Sequence, residues 1–219
     1  MTATAKQAGQ ARPLAARGRP ITDELRARVR EELPEIAEIR DAGLRDKVTE
    51  AWAFALAGSS YDSLRDMQAC GVPGDLEALS GDQTDHLRGV TRLAMKMADD
   101  FIEHFPHIQI DRDLVVAGAL CHDIGKPWEF DPVNRARWAK SQHTGRPSIR
   151  HPAYGVHICL SVGLPEEVAH MAAAHSAEGD LVVRSLENTI VHHVDHAYWH
   201  VLVAADQVDP ATIPPSFRR

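Results

Sequence analysis

The 219 residues, 44% of them hydrophobic, suffice to bury one substantial core, and the length fits a single domain with a modest appendage rather than two independent folds. A formal charge of −7 leaves no basic excess of the kind that phosphate-backbone binding needs, which excludes nucleic-acid polymers as a first reading and favours a small anionic molecule. Cys70, Cys121 and Cys159 are odd in number and lack CxxC spacing, so neither a disulfide framework nor a thiolate zinc site is indicated and a cytoplasmic setting is expected.

No apolar run approaches the roughly 18 to 20 residues that cross a bilayer, and the N-terminus lacks the apolar stretch of a secretory signal. No membrane association is expected. Residues 1–19 contain Lys6, Arg12, Arg17 and Arg19 with no acidic or aromatic residue, which predicts a disordered tail. That acid-poor composition is shared with organelle transit peptides, but amphipathic hydrophobics are sparse. An N-terminal helical appendage is expected over 20–80. Thr22 signals an N-cap with Asp23 and Glu24 in the first turn, and a second helix runs from about Leu44 to Leu56, closing at Gly58. The segment GVPGDLEALSG, Gly71 to Gly81, is turn-rich and reads as a loop into the main domain, 81–209.

In that domain Leu87, Val90, Leu93, Ala94, Met97, Ala98, Phe101 and Ile102 recur at three- and four-residue spacing, predicting one apolar stripe on a helix that begins near His86. Asp111 caps a helix through Leu114, Val115, Ala117, Gly118 and Leu120 that is apolar nearly all round, hence buried. Residues 127–150 show no clear period. Helices are predicted at about 152–162, 165–175 and 184–207, with Pro165 after Gly163 marking one start, and residues 210–219 form a Pro-rich tail. Strands have almost no candidate, so the fold class is all-α.

His122 and Asp123 end the apolar run VVAGAL. An ionisable pair at the end of a core helix is costly to desolvate, and a divalent cation is the simplest compensation. A lone HD dipeptide has a bland explanation, a solvated helix end, but this one has company. His86 opens one apolar helix, His151 opens another, His175 ends a third, and Asp195 lies within a fourth beside Ile190, Val191 and Val194. Imidazoles and carboxylates projecting inward from separate helices are how helical proteins assemble one- or two-metal sites.

The segments DHLRGVTRLA (His86), GALCHDIGKPWE (His122, Asp123), HPAYG (His151), AAAHSAEG (His175) and LENTIVHHVD (Asp195) resemble the HD-domain superfamily of metal-dependent phosphohydrolases over roughly residues 84–207. The resemblance implies a five-helix core in which His86, His122, Asp123 and Asp195 bind one metal, His151 and His175 add a second, and Asp123 bridges. The metal would be iron, manganese, nickel or cobalt. The implied activity is hydrolysis of a small phosphorylated molecule, a nucleotide among the options, by metal-activated hydroxide, with Asp123 and Lys126 as catalytic residues. Di-iron oxygenases of the same superfamily offer an alternative chemistry, and a nucleotide-binding regulatory module a third. Ser176 stands where the cyclic-dinucleotide branch has a second histidine, and its GYP signature is absent, which disfavours that substrate. Oligomeric state is open, a homodimer included.

Lys126 is expected to neutralise a substrate anion at the rim, or else to compensate a helix C-terminus. His143, Arg146 and Arg150 are candidates for an anion pocket or a solvated loop, and Glu178 for an acid/base or a supporting partner. Of the adjacent His192 and His193, one must face away. Trp52, Trp128, Trp138 and Trp199 are expected to fill the core, with Trp128 the one near the pocket. Asp195 and Asp206 are eleven residues apart, about 16 Å along a helix, so they cannot serve one metal. The mid-helix position of Asp195 selects it over Asp206, which precedes Asp209 and Pro210 where a helix finishes in solvent.

Overall fold

The computed structural model describes residues 18–138 and 149–217. His143, Arg146, the side chain of Trp138 and the tail up to residue 17 lie outside the described residues. Among the described residues no helix is long and apolar enough to cross a membrane.

The architecture is predominantly helical, and the Thr22, Gly58 and Asp111 caps fall where the sequence places them. Helix α1 (Asp23–Glu32) starts on Thr22, whose hydroxyl accepts from the Leu25 amide, and α2 (Ala42–Ala57) starts on Asp41 and ends at Gly58. Buried Trp52 of α2 donates from Nε1 to the Leu120 carbonyl at 3.0 Å, which ties the N-terminal helices to the main core. Arg19 is part of this framework too, donating to the Leu56 carbonyl at 2.6 Å and pairing with Asp62.

The segment expected to be a loop is instead an antiparallel hairpin, β1 (Gln68–Val72) with β2 (Asp75–Asp82). Two residues, Pro73 and Gly74, connect the strands, and Gly74 takes φ +89°, a backbone region that glycine enters without steric cost. The hairpin has no strong strand signature of its own. Ala69, Leu76 and Ala78 gain burial only by packing with Trp199 and Val208 in a small second core. Residues after the last helix extend this layer, with Leu79 donating to the Gln207 carbonyl and Asp209 to that of Glu77, both at 2.9 Å.

Helix α3 (Gln83–His104) opens with a reciprocal capping box between Asp82 and Asp85. Its buried face is narrower than the predicted stripe. Leu87, Val90, Ala94 and Ala98 are buried, while Leu93, Met97 and Ile102 are exposed, because α4 (Arg112–Cys121) and α9 (Leu186–Ala204) cover only one side. Helix α4, capped by Asp111, is buried from Val115 to Cys121. The region without period resolves into two short helices, α5 (Lys126–Phe130) and α6 (Pro132–Trp138), each too short to display a repeat. Helices α7 (His151–Ser161) and α8 (Glu166–Ala174) complete the core, Pro165 capping the latter. Gly125 lies so close to α7 that a Cβ there would sit 2.1 Å from the His151 carbonyl oxygen.

Candidate metal centre

Five segments carry the chemistry to one point. His86 comes from the first turns of α3, His122 caps the C-terminus of α4 with Asp123 following, His151 is the first residue of α7, His175 caps α8, and Asp195 lies midway along α9. All six are buried. Two sets of three converge: His86, His122 and Asp195 in one, Asp123, His151 and His175 in the other.

Asp123 joins the sets. Its Oδ2 lies 3.2 Å from Nε2 of both His86 and His122, and its Oδ1 lies 3.5 Å from Nε2 of His151 and 3.6 Å from Nε2 of His175. Asp195 Oδ1 is 3.4 Å from His86 Nε2 and 4.0 Å from His122 Nε2. The His86 and His122 Nε2 atoms are 3.3 Å apart.

The surroundings turn three imidazoles inward. His122 Nδ1 donates to the Ala119 carbonyl at 2.6 Å, His175 Nδ1 to that of Ala172 at 3.0 Å, and His151 Nδ1 to the Glu129 carboxylate. With the proton on Nδ1, each Nε2 presents a lone pair to the centre. Lone pairs of this kind, aimed at one another and at carboxylates in a water-poor core, repel unless a cation or proton lies between them. Asp195 Oδ1 is likewise buried with no hydrogen-bond partner among the described residues. The donor set of imidazole nitrogens and carboxylate oxygens suits a divalent transition metal.

Electrostatics follow the packing. Burial raises the Asp123 carboxyl, but the Lys126 ammonium and the His122 imidazole outweigh it and hold the group well below the usual carboxylate range. Burial lowers His86 more than Asp123 and Asp195 restore, so it stays neutral more readily than a free histidine. At His122 burial also acts downward, yet Asp123 and Asp195 more than offset it and the imidazole ends above its ordinary value.

Lys126 is not at the rim. It is buried, with Nζ 2.6 Å from Asp123 Oδ2 and donating to the Cys70 carbonyl at 2.7 Å, because α5 begins directly behind the HD turn. Asp206 is exposed at φ +55° beyond the end of α9, away from the cluster. His192 donates from Nδ1 to the His175 carbonyl, and His193 is exposed. The tryptophan at the pocket is Trp199, tilted against the His86 ring at a centroid distance of 5.1 Å, whereas Trp128 stacks on Tyr154 at 4.6 Å.

Two residues escaped the sequence reading. Gln83, fully buried one helical turn before His86, donates from Nε2 to Asp123 Oδ2 at 2.8 Å. Its i, i+3 spacing from His86 was the available signal. Glu129 accepts from the His151 amide at 2.7 Å and from Arg150 Nε at 2.6 Å. A carboxylate set between the bulky apolar Trp128 and Phe130 was the hint. A cleft of about 510 Å³ opens onto the cluster, walled by the hairpin, by Arg150, Ser176 and Glu178, and by Trp199 and Phe217. A larger groove of about 760 Å³, at the start of α4, is lined by Asp99, Asp111 and Arg112 and holds neither ligand set.

With the fold and this geometry in hand, the chain belongs to the HD domain family, whose family model matches residues 84–198. It is similar, at 31% identity over 118 residues, to the dihydroneopterin 2',3'-cyclic phosphate phosphodiesterase of Methanocaldococcus jannaschii. That alignment takes in 53% of this chain and 46% of the relative, so the chain spans about half of that protein's length. No solved structure matches significantly.

Proposed function

We propose that this chain is a metal-dependent phosphohydrolase acting on a small phosphorylated molecule, with a cyclic phosphate ester or phosphodiester as the first substrate class to test. The observation that carries the reading is the Asp123 carboxylate, whose two oxygens face two separate sets of buried ligand atoms. The phosphodiesterase name of the relative supports the reaction class. In this reading His86, His122, Asp123 and Asp195 hold one divalent ion and Asp123, His151 and His175 a second. Ions bound there supply Lewis acidity that activates water and stabilises charge on the phosphoryl oxygens.

The chain's own groups do the rest. Asp123 spans both positions. Lys126 and Gln83 fix the orientation of that carboxylate and Lys126 balances its charge, so its part in catalysis is positioning. Glu129 orients His151, and the Ala119 and Ala172 carbonyls orient His122 and His175. Trp199 and the hairpin limit water at the cleft wall. A cytoplasmic location and action without membrane or nucleic-acid partners complete the proposal, as do domain limits of 20–80 for the helical appendage and 81–209 for the HD unit.

The test is elemental analysis of protein purified without added metal, followed by phosphate release and oxygen consumption over a panel of 2',3'-cyclic phosphates, linear diesters and monoesters. Stoichiometric metal with metal-dependent phosphoester cleavage is expected. Substrate-dependent oxygen uptake without phosphoester cleavage would overturn the hydrolase reading in favour of an oxygenase.

A further inference from the structure

We propose that Arg150 is the phosphate-binding residue of the cleft and that Glu178 occupies its outer edge until a phosphate group arrives. The inference rests on the phosphohydrolase reading above. Arg150 immediately precedes the ligand His151 and caps α7, so its side chain emerges beside the cluster and lines the cleft.

Its two carboxylate partners differ in kind. Glu129 is 1% exposed and receives Arg150 Nε at 2.6 Å together with the backbone amide and Nδ1 of His151, so it is locked into the support of the site. Glu178 is 37% exposed, lies 3.2 Å from Arg150 Nη1, and stands on the single 3-10 turn Ala177–Leu181, where it also accepts from the Ser176 hydroxyl at 2.7 Å. An ion pair so open to solvent is weak and exchangeable. The guanidinium edge it covers has the planar fork that matches two phosphate oxygens.

Lys126, the other lysine or arginine lining the cleft among the described residues, cannot take this part, since its ammonium is buried between Asp123 Oδ2 and the Cys70 carbonyl. An incoming phosphate therefore finds its donors at Arg150, next to the His151 and His175 half of the cluster. Glu178 returns as the phosphate leaves, so this carboxylate limits retention of the product anion.

The experiment measures binding of inorganic phosphate to the metal-loaded full chain by calorimetry, and its inhibition of bis(p-nitrophenyl) phosphate hydrolysis, in parent, Glu178→Gln and Arg150→Ala. Glu178→Gln is expected to tighten phosphate about threefold or more, and Arg150→Ala to weaken it roughly tenfold or more, the scale of one charge-assisted contact. Metal content is assayed in each. Loss of metal from Arg150→Ala through Glu129 leaves Glu178→Gln, at a residue hydrogen-bonded to neither Glu129 nor His151, to decide. Phosphate affinity in Glu178→Gln equal to or weaker than the parent's overturns the inference. A parent that binds phosphate through Arg150 but cleaves no phosphoester sinks the hydrolase reading alone; one that cleaves phosphoesters with variants unchanged in phosphate affinity sinks this inference alone.

Discussion

The Lys126 ammonium lies 2.6 Å from the same Asp123 oxygen, Oδ2, that faces His86 and His122. One carboxylate oxygen thus faces both the lysine and two imidazole nitrogens of the candidate metal site. Replacing the lysine by an isosteric apolar chain leaves a buried carboxylate unpaired, and removal of one partner of such a pair costs about 3 to 5 kcal/mol. Lys126→Met is therefore expected to lower the melting temperature of metal-free protein sharply and to recover more of it on adding manganese than the parent gains. Equal metal-induced shifts in the two proteins would show that Lys126 does not share the carboxylate with the metal.

The two late aspartates separate cleanly. Asp195→Ala is expected to remove about one equivalent of metal and abolish metal-dependent activity, read by elemental analysis and turnover. Asp206, exposed and left-handed at φ +55°, should keep both when changed to glycine, with stability unchanged or slightly raised, whereas alanine there costs up to about 1 kcal/mol. Loss of metal from Asp206→Gly, with Asp195→Ala unaffected, would reverse the assignment.

Glu129 links the site to acid stability. Burial raises its carboxyl, but the His151 hydrogen bond and charge and the Arg150 charge bring it down to about 2, below its ordinary 4.5. A depressed folded value means the stabilisation is complete above about pH 4.5 and disappears as pH falls toward 2, an effect on the order of 3 kcal/mol. Glu129→Gln should flatten the stability profile across that window. It should also weaken metal binding roughly 10- to 100-fold, since it alters the group that orients His151. A titration of each protein with manganese, and unfolding curves from pH 5 to 2, check both.

The thiols are expected to be inert. Burial is the largest influence on Cys70 and pushes it up to about 12, while Cys121, hydrogen-bonded to Cys159 and buried, is also raised well above its usual value. Native protein at pH 8 should resist iodoacetamide, and all three cysteines should react after unfolding. Because the folded value of Cys70 is the higher one, its contribution to stability is full below pH 9 and lost as pH rises toward 12. Rapid labelling of the folded chain at pH 8 would contradict this.

The Thr22 and Asp111 caps and the convergence of the histidines and aspartates were legible because each has a local chemical signature: Thr22 and Asp111 satisfy orphan amides, and His122 and Asp123 interrupt an apolar run. The hairpin was not legible, since Ala69, Leu76 and Ala78 carry no strand signal of their own and acquire a buried face only when Trp199 and Val208 arrive from the other end of the chain. The rim position expected of Lys126 follows from its spacing to His122, which is informative about a helix and silent about the turn that separates α4 from α5. Trp128 and Trp199 exchanged places for the same reason, a long-range arrangement with no trace in neighbouring residues. Gln83 lay within reach of periodicity, but an uncharged amide in a first turn draws no attention until the carboxylate it holds is located.

The close approach of Gly125 to the His151 carbonyl bears on engineering. A combinatorial library across GALCHDIGKPWE selected only for folded, soluble protein should tolerate change at several ligand positions yet return glycine at 125, because any larger residue forces α7 away and opens the spacing between the two ligand sets. The least chemical residue of the segment is then its least replaceable. Attempts to retune metal preference by exchanging ligands should hold that position constant and spend their diversity elsewhere.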